Sequence, residues 1–323
     1  MVASAHPLAS QVGVDVLAHG GNAFDAAVAA AAALNVVEPF MSGLAGMGYA
    51  TMWVTAERRL RVLDFVPRTP RSFSAERFEA RAQLARGHFA VAAPGNLSGW
   101  CMLRDTYGVL PLAQLLEPAA RLAEAGFAVG RYGAGEINEH APGLAACPVH
   151  GSAFHANYKF AQGIALGDTI PQPDLARTLR QIGAAGEDAV YRGPLGERIV
   201  DHLAAHGSSL TMEDLAQVRA VWREPVAIAY RGLVVHVPPP PCEGFQSLLT
   251  LRILEDFDLR RLGHGSADHL DLMVRAVRLA ASVRIADGCP NEARLADLLS
   301  DRSVGVLRSR LRAGEGTSGQ TEQ

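Results

Sequence analysis

The chain has 323 residues and a mass of 34.3 kDa, with 49% hydrophobic residues, 20% charged residues and a mean hydropathy of +0.09. This balance excludes a disordered chain, and the longest apolar stretch is far shorter than the roughly 20 residues that a membrane span needs. Thirty Lys and Arg residues against 33 Asp and Glu residues give a formal charge of −3 without a basic block. Neither nucleic acid nor a membrane is therefore an expected partner. The start of the chain lacks the features of a secretory signal, which predicts a cytoplasmic protein.

Two helices are predicted at the start of the chain. Apolar residues recur at helical spacing over residues 8–20, and Gly20-Gly21 ends that helix where a positive φ is needed. Asn22 is a favourable N-cap for a second helix over residues 23–34. Its near-continuous alanines indicate a buried helix that packs closely against its neighbours.

A β-hairpin is predicted next. Strand-like runs at residues 49–54 and 60–65 are separated by the charged residues 57–59 and preceded by a glycine-rich turn over residues 41–48. Residues 89–93 are predicted as a further short strand that ends at a Pro-Gly pair.

The middle of the chain is predicted to be mainly helical, with an irregular stretch over residues 141–170. Thr211 and Asp214 form an approximate capping box for a short helix that starts at Met212. Helical periodicity covers four longer segments, at residues 97–107, 112–124, 174–183 and 195–206.

The last third of the chain starts with a strand pair. Residues 225–230 and 233–237 are joined by Arg231-Gly232, and the four prolines that follow end the second strand. Amphipathic helices are predicted over residues 246–257 and 267–286, and residues 312–323 are predicted to be a flexible tail. The order of the elements indicates an α+β fold in which helices cover antiparallel sheet.

The glycine-rich turn does not predict a nucleotide site. It lacks the lysine of a phosphate loop, and a strand follows it instead of a helix. Ser98 lacks the Gly-x-Ser-x-Gly pattern of a serine nucleophile and is interpreted as a residue of a helix start.

Metal sites and cofactors are not expected either. His202 and His206 are four residues apart without the His-Glu-x-x-His pattern, and the four cysteines form no Cys-x-x-Cys pair. The cluster of Asp268, His269 and Asp271 is explained by the preference for acidic residues at the start of a helix. The residues alone therefore predict no nucleophile, metal or cofactor site in this chain.

Several motifs in register carry a family resemblance. Residues 1–10, 20–28, 36–39 and 42–43 closely resemble the large (alpha) subunit of the γ-glutamyltransferase (γ-glutamyltranspeptidase) family, and the chain is identified as a divergent member. The resemblance covers residues 1–287 and continues through shorter motifs in family order, among them Asp64-Phe65, Pro94-Gly95, Tyr107-Gly108, Asp168-Thr169 and Tyr230-Arg231-Gly232.

The resemblance implies a four-layer αββα sandwich of the N-terminal-nucleophile (Ntn) hydrolase type, formed by a single large-subunit domain over residues 1–323 and completed by a separate small subunit. Members of the family cleave their own precursor, and the small subunit begins with a catalytic threonine whose α-amine acts as the base. No Thr-Thr-His-like start occurs in this sequence. The resemblance therefore implies that this chain carries no catalytic residue. It also implies that the chain ends at the self-cleavage site. The expected partners are the small subunit and a small-molecule substrate, with a higher oligomer of heterodimers as an open possibility.

Val66 marks a departure from the family pattern. In the family, an arginine two residues after an aspartate grips the α-carboxylate of the γ-glutamyl group, and the matching stretch here places Val66 two residues after Asp64. Loss of such a charge-assisted pair is expected to weaken γ-glutamyl binding on the order of 10- to 100-fold. Arg68, two positions on and on the same face if the strand continues, is either a substitute substrate ligand or a surface arginine.

The departure opens other activities within the family. Besides γ-glutamyl hydrolysis or transfer, the resemblance allows a cephalosporin-type acylase, or a homologue recruited into antibiotic biosynthesis of the lincomycin and pyrrolobenzodiazepine type that performs hydrolytic C–C cleavage. A non-catalytic scaffold protein is the alternative of another class. Glu243 stands where many relatives have serine or glycine, and it either contacts a cationic or hydroxylated substrate or faces water.

Overall fold

A computed structural model describes residues 1–85, 87–145 and 163–314. The chain divides into two compact units. Unit 1 consists of Met1–Gly48 and Asp64–Val221, and unit 2 consists of Tyr49–Leu63 and Trp222–Gln323. Whether the units act as a single domain stays a prediction.

Unit 1 begins with the two predicted helices, α1 (Pro7–Ala18) and α2 (Ala23–Val37). Gly20 lies between them with a φ of 93°, which confirms the predicted stop. Asn22 caps α2 through a capping box with Asp25, and the fully buried carboxylate of Asp25 also accepts hydrogen bonds from the N–H groups of Val109 and Leu110. The start of α2 is thus stabilised both by its own capping box and by hydrogen bonds to residues that follow α3.

The prediction that α2 is buried is confirmed. It packs against α1 and against two helices of the middle of the chain, α3 (Asn96–Tyr107) and α4 (Leu112–Ala125). Small side chains allow this close packing on several sides. The buried alanines are Ala26, Ala29, Ala30, Ala32 and Ala33.

The region predicted to be irregular begins as a helix. The helix α5 (Arg131–Ala145) contains Pro142 and buries Ala134, Ile137 and Ala141 along one face, so an apolar stripe outweighs the local helix breaker. The expectation for residues 141–145 was therefore wrong. Residues 146–162 lie outside the described residues. The two-residue strands β3 (Phe127–Ala128) and β4 (Thr169–Ile170) pair antiparallel on either side of this stretch.

Four further helices complete unit 1: α6 (Pro173–Ala185), α7 (Asp188–Tyr191), α8 (Pro194–Ala205) and α9 (Met212–Ala216). The capping box of Thr211 and Asp214 at the start of α9 is confirmed. The strand predicted at residues 89–93 is absent from this described segment, which instead forms a turn and an irregular extended run. Its Ala93 N–H donates to the carbonyl of Arg68 at 3.3 Å, a single bond rather than a ladder.

Unit 2 contains the two predicted strand pairs. The strands β1 (Tyr49–Val54) and β2 (Arg59–Asp64) are neighbours in a sheet of order β1-β2-β5, where β5 comprises Val221–Arg223. The strands β6 (Val226–Tyr230) and β7 (Leu233–Val237) pair antiparallel with Val226 opposite Val237. Both hairpin predictions are confirmed.

Helices form the core of unit 2. The helix α10 (Phe245–Leu254) packs against the long helix α12 (Ala267–Asp287) and against α14 (Asp301–Arg312) through an apolar cluster that includes Leu249, Ala276 and Val304. Residues 315–323 of the predicted tail lie outside the described residues. The shorter helices of this unit are α11 (Leu259–Leu262) and α13 (Glu292–Leu298).

The fold is a mixture of helices and small sheets, which confirms this coarse part of the predicted class. Over the parts of the chain that the structure describes, none of the helices is both long and apolar enough to cross a bilayer.

Candidate functional site

A pocket of about 290 Å³ lies within unit 1 and contains two of the three predicted site residues, Val66 and Arg68. Three segments that are distant in sequence form its walls: the run that follows β2, the residues before α3, and the segment from α9 to β5. The lining residues are Phe65, Val66, Pro67, Arg68, Thr69, Arg71, Ala93, Gly95, Asp214, Gln217, Val218, Arg219 and Val221.

Val66 and Arg68 reach this pocket without a strand. The strand β2 ends at Asp64, and residues 65–70 have no regular secondary structure. The Asp64 carboxylate accepts a hydrogen bond from the Val66 N–H at 3.0 Å, a local turn that replaces the ladder of a strand. The premise that both side chains lie on one continuing strand face is therefore wrong, yet the irregular run brings both to the same pocket.

The three arginines of the pocket differ in their partners. Arg71 forms an ion pair with Glu213 at 2.8 Å, and Arg219 donates to the carbonyls of Ala216 and Val218. The exposed side chain of Arg68 has neither a hydrogen bond nor an ion pair with the residues that the structure describes. The N–H donors of the Arg68 guanidinium are therefore available to a ligand without displacing a protein partner.

The carboxylate of Asp214, the acidic residue that lines the pocket, already accepts hydrogen bonds from protein groups. Burial by itself raises the pKa of this carboxyl, but hydrogen bonds from the side chain of Thr211 and from the backbone N–H groups of Arg71 and Thr211 outweigh burial and lower the pKa below its ordinary value. Asp214 thus stays ionised, and its charge holds Arg71 and the start of α9. The positive charge without a protein partner in this pocket is that of Arg68, among the described residues.

Phe65 packs against two glycines at positions that leave no room for a side chain. A Cβ atom at Gly95 would lie 1.9 Å from the Phe65 carbonyl oxygen, and one at Gly99 would lie 2.4 Å from the Phe65 ring. The glycine-rich turn is hydrogen-bonded to the segment that precedes α3. The N–H groups of Gly95 and Asn96 both donate to the carbonyl of Gly46 in this turn. The turn therefore supports the pocket wall at the start of α3, a role that its sequence did not reveal.

Glu243, the third predicted residue, lies in unit 2. Its carboxylate forms an ion pair with Arg284 on α12 at 2.7 Å, and its side chain is 56% exposed. The charge of Glu243 is thus partly satisfied inside its own unit. A contact of Glu243 with substrate stays a prediction.

The remaining polar candidates form hydrogen bonds with the protein backbone. Ser98 is buried in the first turn of α3, where its hydroxyl accepts a hydrogen bond from the Ala220 N–H at 3.0 Å, so its interpretation as a helix-start residue is confirmed. His206 uses Nδ1 to contact the carbonyl of His202, one turn earlier. Over residues 1–85, 87–145 and 163–314, no group of three or more His, Cys, Asp or Glu residues is placed to hold a metal ion.

Sequence reasoning missed one wall of the pocket. Residues 217–221 reach it through a contact between Ser98 and Ala220, which are 122 positions apart in the chain. No motif marks either position. The signal that was available, a polar residue inside a predicted helix start, indicates a cap but not a partner.

The chain has well-defined relatives. It is 38% identical over 303 residues to the acylase ACY 1 proenzyme of Pseudomonas sp. (strain SE83), covering 88% of this chain and 52% of that protein. It is 35% identical over 293 residues to the glutathione hydrolase proenzyme of Escherichia coli (strain K12), covering 88% of this chain and 50% of that protein. The chain thus spans about half the length of the curated relatives it matches.

The structure agrees with these relationships. The crystal structure of Helicobacter pylori gamma-glutamyltranspeptidase superposes with a TM-score of 0.87 at 29% identity, covering 100% of this chain and 93% of that chain. Residues 9–318 match the sequence pattern of the family described as gamma-glutamyltranspeptidase. The chain therefore belongs to the gamma-glutamyltranspeptidase family.

Proposed function

We propose that this chain is the large subunit of a γ-glutamyltransferase-like Ntn-hydrolase, which hydrolyses or transfers an acyl group of a small-molecule amide. The observation that carries the proposal is the unpaired guanidinium of Arg68, which lines the pocket beside Val66. In this proposal Arg68 takes over the recognition of a carboxylate on the acyl group. Val66 forms the apolar part of the same wall.

The chemistry of the guanidinium group supports Arg68 as the group that binds a carboxylate. A guanidinium offers two parallel N–H donors to a carboxylate, and such charge-assisted pairs are stronger than neutral hydrogen bonds. The other two arginines of the pocket already bind Glu213 or backbone carbonyls. A carboxylate that enters the pocket would therefore gain most from Arg68.

The reaction itself requires a second polypeptide in this proposal. The hydroxyl oxygen of an N-terminal threonine attacks the amide carbonyl carbon, and the threonine's own α-amine accepts the hydroxyl proton and passes it to the leaving amine. The acyl group is left as an ester on the threonine. Water then releases it as an acid, or an acceptor amine takes it as a new amide.

Two findings support a small subunit as this polypeptide. The relatives are proenzymes, and this chain covers 52% and 50% of their length. In unit 2, α12 buries one face but exposes an apolar stripe on the other, where each side chain is 42% to 54% exposed: Leu270, Val274, Val277 and Ile285. These four positions fall within about 80° of the helix circumference. We infer that a partner covers this stripe and completes the four-layer αββα sandwich.

An acylase with a different acyl specificity is the second candidate. Val66 in place of the family arginine and the 38% identity to an acylase proenzyme both favour it. Hydrolytic C–C cleavage in antibiotic biosynthesis stays a prediction.

Three anilides of equal acyl length test the function. The protein expressed from its complete gene is assayed with pentanoyl, glutaryl and γ-glutamyl p-nitroanilide, which carry no charge, a carboxylate, and a carboxylate with an ammonium group. We expect kcat/KM for the glutaryl compound to exceed that for the pentanoyl compound by about tenfold or more, because Arg68 binds the distal carboxylate. Equal rates for these two would refute carboxylate recognition.

The partner is tested separately by intact-mass measurement of the purified protein. We expect a stoichiometric second chain that begins with threonine. A lone 34.3 kDa chain without turnover of any anilide would favour the scaffold alternative.

A further inference from the structure

Two buried hydroxyl groups lie directly behind the pocket of unit 1. Tyr191, the last residue of α7, is fully buried, and Ser98 in the first turn of α3 is 2% exposed. Neither residue lines the pocket. Each of them, however, bonds to the backbone of one pocket wall.

Tyr191 holds the wall before α3. Its hydroxyl donates to the carbonyl of Pro94 at 2.8 Å and accepts from the Ser98 N–H at 3.0 Å. Pro94 lies between Ala93 and Gly95, which both line the pocket. The Tyr191 hydroxyl therefore joins this wall to the first turn of α3.

Ser98 holds the wall that precedes β5. Its hydroxyl oxygen accepts from the Ala220 N–H at 3.0 Å, and Ala220 lies between Arg219 and Val221, which both line the pocket. The side chain of Ser98 also lies beside the half-buried carboxyl of Glu187, whose pKa is raised by burial. The Ser98 hydroxyl therefore ties this wall to the first turn of α3.

Burial keeps the Tyr191 hydroxyl and a neighbouring thiol protonated. Burial raises the pKa of the Tyr191 hydroxyl and raises that of the neighbouring Cys101 thiol to about 12, so neither is ionised at neutral pH. The hydrogen bonds of the Tyr191 and Ser98 hydroxyls to the backbone point to a positioning role. Removal of a hydroxyl would leave a buried backbone group of a pocket wall without its partner.

We propose that Ser98 and Tyr191 are positioning residues of the substrate pocket, each holding one of two walls against the start of α3. This inference rests on the proposed function, because it treats the pocket of Val66 and Arg68 as the substrate site. Substrate binding, rather than the chemical step, depends on the two hydroxyls. Neither residue touches the substrate.

The test combines hydrogen exchange with kinetics in the complete enzyme. Tyr191→Phe and Ser98→Ala each delete one hydroxyl, and Thr106→Ala deletes an exposed hydroxyl from the same helix α3 as a control. In Ser98→Ala we expect amide exchange over residues 217–221 to rise about tenfold, and in Tyr191→Phe we expect the rise at residues 95–99. Thr106→Ala changes neither region. If one of the two variants fails to fold, the other still tests its own wall.

The kinetic expectation is a KM about five- to twentyfold higher in both variants, with kcat within about threefold of the parent. Unchanged exchange at the assigned wall, a rise spread evenly over unit 1, or local exchange without a change of KM would each overturn the inference. Arg68→Gln separates the two proposals, because it touches the substrate site without altering either wall. If Arg68→Gln leaves KM unchanged while the local exchange pattern appears, the function assigned to the pocket fails and the anchoring of the walls stands.

Discussion

The two regions where the resemblance predicts a departure from the family pattern differ in how their charged side chains are bound. In unit 1, residues 64–70 leave the guanidinium of Arg68 without a partner among the described residues. In unit 2, Glu243 forms an ion pair with Arg284 at 2.7 Å. One charged side chain is thus free to bind a ligand, whereas the other is already paired within the protein.

The comparison shows which property indicates a recognition group. Both residues are charged, and both are at least partly exposed. Arg68 differs because a ligand can bind it without displacing a protein partner. A ligand of Glu243 must compete with Arg284, which reduces the gain in binding free energy.

Gly95→Ala is expected to have the largest effect. The added Cβ would lie 1.9 Å from the Phe65 carbonyl oxygen, so the backbone of the pocket wall must shift. We expect a loss of about 3 kcal/mol in the free energy of unfolding, measured by urea denaturation. Gly43→Ala is the matched control, because a Cβ there would meet nothing within 4 Å. Equal stability of the two variants would show that the wall before α3 is not tightly packed.

Arg68→Gln ranks second and tests the unpaired cation directly. Loss of a charge-assisted pair is expected to lower kcat/KM for the glutaryl anilide by about 10- to 100-fold, while pentanoyl turnover changes little. The control is Arg71→Gln, with an expected loss of no more than about threefold, since Glu213 already binds its guanidinium. A larger loss in Arg71→Gln than in Arg68→Gln would assign the carboxylate to Arg71.

Val66→Arg is expected to have a smaller effect with the opposite sign. It places the arginine that the family resemblance leads us to expect at this half-buried position of the pocket. We expect kcat/KM for γ-glutamyl anilide to rise by about tenfold, limited by repulsion from Arg68. The double variant Val66→Arg with Arg68→Gln removes that repulsion and should exceed the single variant. A fall in γ-glutamyl turnover in both would refute the interpretation of Val66.

Glu243→Gln is expected to have the smallest effect. It removes an ion pair with a largely exposed carboxylate, which is worth about 0.5 kcal/mol of stability. Turnover of the three anilides should stay within about twofold of the parent. A selective loss for the γ-glutamyl compound, which carries an ammonium group, would show instead that Glu243 leaves Arg284 and contacts substrate.

Local patterns predicted most of the secondary structure. Asn22 with Asp25 and Thr211 with Asp214 mark helix starts because a side chain caps backbone groups only three residues away. Both hairpins were predicted because alternation and turn residues are likewise local. The failures at residues 89–93 and 141–145 occurred where one long-range hydrogen bond or a buried apolar face overrode the local signal.

The amino-acid sequence by itself therefore determined many of the helices, both hairpins and the family, and it predicts the departure at Val66. Only the tertiary structure decided that Arg68 shares the pocket of Val66 without a strand, that Arg284 binds Glu243, and that Ser98 bonds to Ala220. The physical reason is the separation along the chain of the residues that interact. Caps and turns depend on neighbours within a few residues, whereas the availability of a charge depends on which distant groups the fold brings beside it.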